Sequence, residues 1–221
     1  MFTGHYAAAF AGRAAGPVVP LWVLFVAVQF LDYLWPVFIL LGVEQARIVP
    51  GFLEGSNLDL HFMPYSHGLV SAVVWSVVFA AGYRVLARPA KPLLAMAITG
   101  GAVFSHWLAD FLVHIEDLPL LFGEPKVGLG LWRSLLWSQV VEVSLLVLGM
   151  FWFLRRTEPK GVLGKVTPWL LLVVLLGAQM VSQLPPDPVP SIESFAVQAL
   201  IAFTLIAAVA ALVDHSRRLR S

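Results

Sequence analysis

The sequence predicts an all-α fold: a polytopic integral membrane helical bundle of about six transmembrane helices, with a short N-terminal helix ahead of them. Three observations predict it. Of 221 residues, 59% are hydrophobic and only 12% are charged, whereas a soluble domain carries roughly 25% charged residues. Mean hydropathy is +0.85. The apolar residues also fall into runs of about 20, enough to cross a hydrocarbon core about 30 Å thick at about 1.5 Å of rise per residue. The same composition excludes disorder. A net charge of +1 offers nucleic acid no electrostatic footprint, and the lack of cysteine excludes disulfides, thiolate metal sites and cysteine nucleophiles.

In chain order, Thr3–Gly16 is too short to span and is either a surface helix or a re-entrant one. Its small residues, among them Ala7, Ala8, Ala11 and Gly12, suit a helix nested between spans. Entering from the cytoplasmic face, such a helix lifts His5 about 15 Å. The expected spans run from about Pro20 to Val43, Pro64 to Val85, Leu93 to His114, Leu131 to Leu154, Thr167 to Leu184 and Ser194 to Val213. No basic segment precedes the first span and Asp32 interrupts it, so no cleaved signal peptide is expected.

Lys and Arg set the orientation. Arg13 precedes span one; Arg84, Arg88 and Lys91 follow span two; Arg155, Arg156, Lys160 and Lys165 follow span four; Arg217, Arg218 and Arg220 end the chain. An even number of crossings puts all of these on one face, with both termini cytoplasmic in a cell inner (plasma) membrane. The opposite loops are acidic, with Glu44, Glu54, Asp59, Glu116, Asp117 and Glu124 among them. The chain divides into a polar-site domain, residues 1–157, and an accessory two-span hairpin with a basic tail, residues 158–221. Trp22, Trp132, Trp152 and Trp169 fall near span ends and read as interface anchors.

An Asp at a helix centre in hydrocarbon costs at least about 2.5–3.5 kcal/mol, so every intramembrane ionisable group is a candidate for function. The foremost set is His106-Trp-Leu-Ala-Asp110-Phe-Leu-Val-His114. Steps of four residues keep all three side chains on one helix face, where imidazole and carboxylate can chelate one zinc. A His–Asp staple between helices and a proton relay are the competing readings. Gly100-Gly101, one turn earlier, allows a neighbouring helix to come close.

Asp32 lies at the depth of His106 and is a ligand, a partner of a ligating His, a relay or a catalytic base. His67 sits near the level of Asp110 and His114, and His5 joins them if the N-terminal helix is re-entrant. His61 belongs to an acidic outer loop, and His215 to the solvated tail; on this count every histidine except His215 can face one cavity. Glu142, midway along span four with Gln139 nearby, is a second candidate base, a ligand or a partner of Arg133. Arg133 and Lys126 are the cations placed to meet an anionic substrate at the outer mouth.

The order Gly4-His5, Asp32, Ser66-His67 and Ser105-His106-x-x-x-Asp110 resembles that of small inner-membrane proteins known as membrane-bound metal-dependent hydrolases. These are distantly similar to zinc-dependent phospholipases C and single-strand zinc nucleases. The resemblance covers about residues 1–155 and implies ligands at His5, Asp32, His67, His106 and Asp110 for one or more Zn²⁺ ions, with Mn²⁺ as the alternative. Where the family often shows Asp-x-Asp-His, Asp32 is followed here by Tyr33-Leu34-Trp35, and no His-Arg-Gly element precedes His67.

Three readings follow. The first is a metal-dependent hydrolase in the bilayer, acting at the outer face on a phosphoester or lipid-linked substrate, with Asp32 or Glu142 as base and His5, Asp32, His67, His106, Asp110 and His114 as the candidate ligands. The second is a proton- or metal-coupled transporter, and the third is a non-catalytic membrane protein whose His/Asp cluster is structural. No nucleic-acid partner is expected, and the bilayer itself is the main one.

Overall fold

The computed structural model describes residues 1–220; Ser221, the end of the expected basic tail, lies outside them. Among the described residues the chain is mainly helical. A 3-10 turn, Thr3–His5, leads into α1 (Tyr6–Ala15), followed by α2 (Leu21–Val28) and α3 (Phe30–Leu40). Then come the hairpin β1 (Gln45–Leu53) and β2 (Ser56–Phe62), and the long helices α4 (Leu69–Ala87) and α5 (Pro92–Val113). After the short strands β3 (Leu118–Pro119) and β4 (Lys126–Val127) come α6 (Leu135–Arg156) and β5 (Thr157–Pro159). The chain ends with α7 (Val162–Gln183), α8 (Ile192–Ser216) and β6 (Arg217–Leu219).

Five of the described helices, α4 to α8, are long and apolar enough to cross a membrane, and the pair α2 and α3, bent by 51° at its break, brings the number to six when counted as one span. Their surfaces are those of a membrane bundle. On α4, Val73, Val74, Val77 and Val78 face outward while Ser71, Ala72, Ser76 and Ala80 are buried. Apolar side chains need no burial in lipid, and small ones let backbones approach.

The first expected span, Pro20–Val43, is therefore not one straight helix. Gln29 breaks it with φ −103° and ψ 10°, outside the helical region. Pro36 inside α3 has no N–H for the Asp32 carbonyl, which loosens the first turn further. The break puts Asp32 in the first turn of α3, where a helix end favours a carboxylate.

The N-terminal helix is re-entrant. Its end at Ala15 sits at the face carrying the Lys and Arg clusters, where Arg13 Nε meets Asp214 Oδ1 at 2.7 Å. From there it rises into the bundle, and Tyr6, Ala9, Phe10 and Ala14 are buried. It packs so closely on α6 that a Cβ at Gly149 would stand 2.7 Å from the Ala7 Cα. Gly100 admits α4 in a similar way, 3.3 Å from the Ser76 carbonyl, while Gly101 faces open space.

Two features of the loops differ from expectation. Residues 45–62 form an antiparallel hairpin, closed by Glu54-Gly55, at the end of the bundle remote from the basic clusters. The tail is not free either: β6 pairs with β5, and the buried Arg217 donates to Thr157 Oγ1 at 2.9 Å and to the Gly164 carbonyl at 2.6 Å. His215 is exposed, as expected.

Candidate metal centre

α5 supplies the axis of the site. His106 and Asp110 lie one turn apart on its buried face, and His114 caps its end. His106 Nε2 stands 3.0 Å from Asp110 Oδ2, and His114 Nε2 stands 3.7 Å from Asp110 Oδ1. The other elements bring their own groups to this line. The re-entrant segment places His5 Nε2 3.2 Å from Asp110 Oδ1, its ring stacked on that of His106 at 3.7 Å between centroids. The bend at Gln29 places Asp32 Oδ1 3.3 Å from His67 Nε2 and 3.7 Å from His106 Nε2. His67 Nε2 is also 3.7 Å from Asp110 Oδ2.

His67 was expected inside span two, but it stands just before α4. A tight loop carries it in: Gly68 is so confined that a Cβ there would lie 2.5 Å from the Pro64 carbonyl oxygen. Trp107 Nε1 donates to the His67 carbonyl at 3.0 Å, so α5 fixes that loop directly.

Every nitrogen facing the two carboxylates is an Nε2, because the Nδ1 atoms of three rings are engaged elsewhere. His106 Nδ1 lies 2.6 Å from the Val28 carbonyl at the end of α2, and His114 Nδ1 lies 2.8 Å from Asp117 Oδ1. His67 Nδ1 lies 2.7 Å from Ser66 Oγ, which in turn donates to Glu44 Oε2 at 2.6 Å. A carbonyl or carboxylate only accepts, so the Nδ1 atoms of His106 and His114 carry protons. In the neutral ring, Nε2 is then a bare lone pair aimed at carboxylate oxygens.

Two lone pairs about 3 Å apart repel unless a cation or a proton lies between them. Within the described residues, His5 Nδ1 and Nε2 and His106 Nε2 are buried with no hydrogen-bond partner. His5, Asp32 and His106 form one set of metal-holding atoms, and His67, His106 and Asp110 form another. Both use His106, so they are halves of one cluster. The distances fit as well: ligands about 2.0–2.1 Å from a tetrahedral zinc lie about 3.3–3.4 Å from each other, and the six Nε2–carboxylate separations run from 3.0 to 3.7 Å. The residues present therefore fit a metal ion. The Met1 amine also pairs with Asp110 Oδ1.

Enclosure is uneven. The His106 side chain is fully buried, whereas that of Asp32 keeps 20% exposure. Asp32 Oδ2 is steadied by Gln29 Nε2 at 3.3 Å. Outside the spans, burial pushes the Glu44 carboxyl above its usual value, with the hydrogen bonds from Ser66 pulling the other way.

Other sequence candidates stand apart. Glu142 is buried, but its Oε2 accepts from the Phe2 amide at 2.8 Å and the Gly4 amide at 3.5 Å, so it caps the re-entrant segment and belongs to neither metal-holding set. It does not meet Arg133, which pairs with Glu116 at 3.0 Å on the surface. Lys126 Nζ donates to the His61 carbonyl at 2.9 Å. His61 lies on β2, 3.8 Å from Asp59, and is not one of the converging histidines. Trp132 is no simple anchor, because its ring lies on that of His114 at 4.2 Å between centroids.

Sequence reasoning passed over Glu44, Asp117 and Gln179. Asp117 follows His114 by three residues, a spacing that signals an outer hydrogen-bond partner. Gln179 Oε1, on α7, accepts from Thr3 Oγ1 at 3.0 Å and thereby ties α7 to the re-entrant segment. No family model, curated protein or solved structure matches the chain.

Proposed function

We propose that the protein is a membrane-embedded, metal-dependent hydrolase that acts on a phosphoester or lipid-linked substrate. One observation carries the reading: four buried imidazoles turn Nε2 toward two carboxylates at separations of 3.0–3.7 Å, with outer partners on the Nδ1 atoms of three. An outer partner on the second nitrogen is the usual arrangement of metal-ligating histidine. His5, Asp32, His67, His106, Asp110 and His114 would hold the ion. A bound Zn²⁺, or Mn²⁺ in its place, would supply Lewis acidity toward a phosphoryl or carbonyl oxygen and a water acidified toward a pKa of about 7.

Asp32 is the carboxylate open to incoming groups; with Oδ1 among the imidazoles, its Oδ2, beside Gln29 Nε2, would take the proton from an attacking water. The side chains of His5 and His106 are buried, unlike that of Asp32. Glu142 holds the re-entrant backbone and so orients His5.

A groove of about 360 Å³ supports a lipid-linked substrate. It starts at His5, passes Ala8 and Leu148 and ends by Trp152, with apolar lining almost throughout. It runs from the cluster toward the basic face. If that face is cytoplasmic in an inner membrane, as the Lys and Arg placement argues, a lipid of the outer leaflet would point its chains the same way. A through-path for ions is disfavoured by the packing toward the basic face, where Phe10 stacks edge-on to Phe25 at 5.3 Å and meets Phe153 at 5.5 Å.

The test is a panel of phosphomonoesters, phosphodiesters and phospholipids, assayed with zinc-loaded protein and with the Asp32→Asn variant. The reading expects turnover that the variant loses while keeping its fold. Metal-loaded protein inactive across the whole panel would leave transport or a structural role in its place.

A further inference from the structure

We infer that Glu44 is a positioning residue that sets the tautomer of His67 through Ser66, and that reversing one hydrogen bond in this chain would disable His67 as a ligand. The inference rests on the proposed function only in taking His67 to be a ligand.

The direction of each bond follows from the atoms. Glu44 Oε1 accepts two backbone amides, those of Tyr65 and Ser66, each at 2.8 Å. Its Oε2 meets Ser66 Oγ at 2.6 Å, and Ser66 Oγ meets His67 Nδ1 at 2.7 Å. Glu44 and Ser66 are buried, at 2% and 0% exposure, so water does not compete. An ionised carboxylate has no proton to give. The Ser66 hydroxyl must therefore donate to Glu44, which leaves its oxygen to accept from His67 Nδ1–H. With its proton held on Nδ1, His67 is left to meet a metal, beside Asp32 and Asp110, through the lone pair of Nε2.

An amide in place of this carboxylate inverts the chain. In a Glu44→Gln protein the two backbone amides keep the carbonyl oxygen at the Oε1 position. The NH₂ group then occupies the Oε2 position and donates to Ser66 Oγ. The serine hydroxyl, no longer needed by residue 44, donates to His67 Nδ1, and the imidazole proton moves to Nε2. A protonated Nε2 cannot bind a metal. Size and burial barely change, so a residue serving only to fill space would show none of this. Ser105 provides the contrast: it also precedes a ligand histidine, but its Oγ donates to the Ala102 carbonyl at 2.7 Å and joins no such chain.

The experiment is ¹⁵N NMR of the histidine rings in metal-free protein, followed from neutral pH to well above the carboxylate range so that the raised Glu44 carboxyl is ionised, with His67 assigned by its absence from a His67→Gln sample. Zinc affinity is measured alongside by chelator competition. The wild type should show His67 protonated at Nδ1, and Glu44→Gln should show a bare Nδ1 with the proton on Nε2, with zinc affinity down about 10–100-fold. Ser66→Ala removes the acceptor, so His67 should lose its fixed tautomer; this variant also decides the matter if Glu44→Gln does not fold. A wild-type His67 with no proton on Nδ1, or an Nδ1 that keeps its proton in the folded Glu44→Gln protein, would overturn the inference. If the tautomer switches but no variant, nor the wild type, takes up zinc, the chain through Glu44 stands and the metal reading fails.

Discussion

His106 Nε2 lies 3.0 Å from Asp110 Oδ2, one turn away on the same helix, while the opposite nitrogen of the ring meets the Val28 carbonyl at 2.6 Å. One side of the imidazole thus reports to the bent first span, and the other to the cluster. Asp110 is the hub: its Oδ1 faces His5 and His114, and its Oδ2 faces His67 and His106. A buried carboxylate among four imidazoles needs compensating charge; the Met1 amine gives Asp110 part of it, and protons on the rings or a metal would supply the rest.

Metal binding should therefore stabilise the fold. A ligand at about 100 times its Kd adds about 2.7 kcal/mol, so zinc should raise the unfolding temperature of the wild type and a chelator should reverse the rise. An unfolding temperature indifferent to zinc and chelator alike would contradict this.

Asp117→Asn should weaken zinc binding about 10–100-fold, in the range of other outer partners of ligating histidines. The carboxylate accepts from His114 Nδ1 at 2.8 Å, whereas an amide there can present a donor and turn the ring's proton inward. Chelator competition on the folded variant reads the effect; unchanged affinity would remove His114 from the ligand set.

Gly149→Ala puts a methyl group 2.7 Å from the Ala7 Cα. Overpacking of this kind costs about 1–3 kcal/mol, and moving α1 away from α6 carries His5 with it. Lower thermal stability together with weaker zinc binding is expected. Zinc binding at wild-type strength in the destabilised variant would show that His5 is dispensable.

Glu142→Ala should cost about 1–3 kcal/mol by leaving buried amides without an acceptor, and Glu142→Gln should cost much less because its carbonyl can still accept from Phe2. The present contact is 2.8 Å. Equal losses for the two variants, measured by denaturation in detergent, would show that the charge rather than the acceptor matters.

The parts of the site that could be read in sequence are those with local periodicity. His106, Asp110 and His114 recur every four residues inside an apolar run, so their shared face follows from helix geometry alone. The small residues of Tyr6–Ala15 likewise suggested a helix able to slip between spans. The bend at Gln29 was not legible, because Leu21–Leu40 is largely apolar on both sides of the break, no glycine or proline stands at Gln29 itself, and Pro36 lies further along α3. Glu44 was not legible either: it lies among loop acids, and its partner Ser66 comes 22 residues later, across a hairpin that folds back. Glu142 misled for a related reason. An acid at mid-span reads as chemistry, yet here its charge is taken up by the backbone amides of a distant segment.

The central claim is most directly tested by the metal content of detergent-purified, monodisperse wild-type protein beside Asp110→Ala, each loaded with zinc and stripped of excess. Zinc or manganese near stoichiometry in the wild type, lost in a variant that remains folded, is the predicted result. A well-folded wild type that retains no metal after loading would contradict it, and the four imidazoles and two carboxylates would then be a protonated staple between helices.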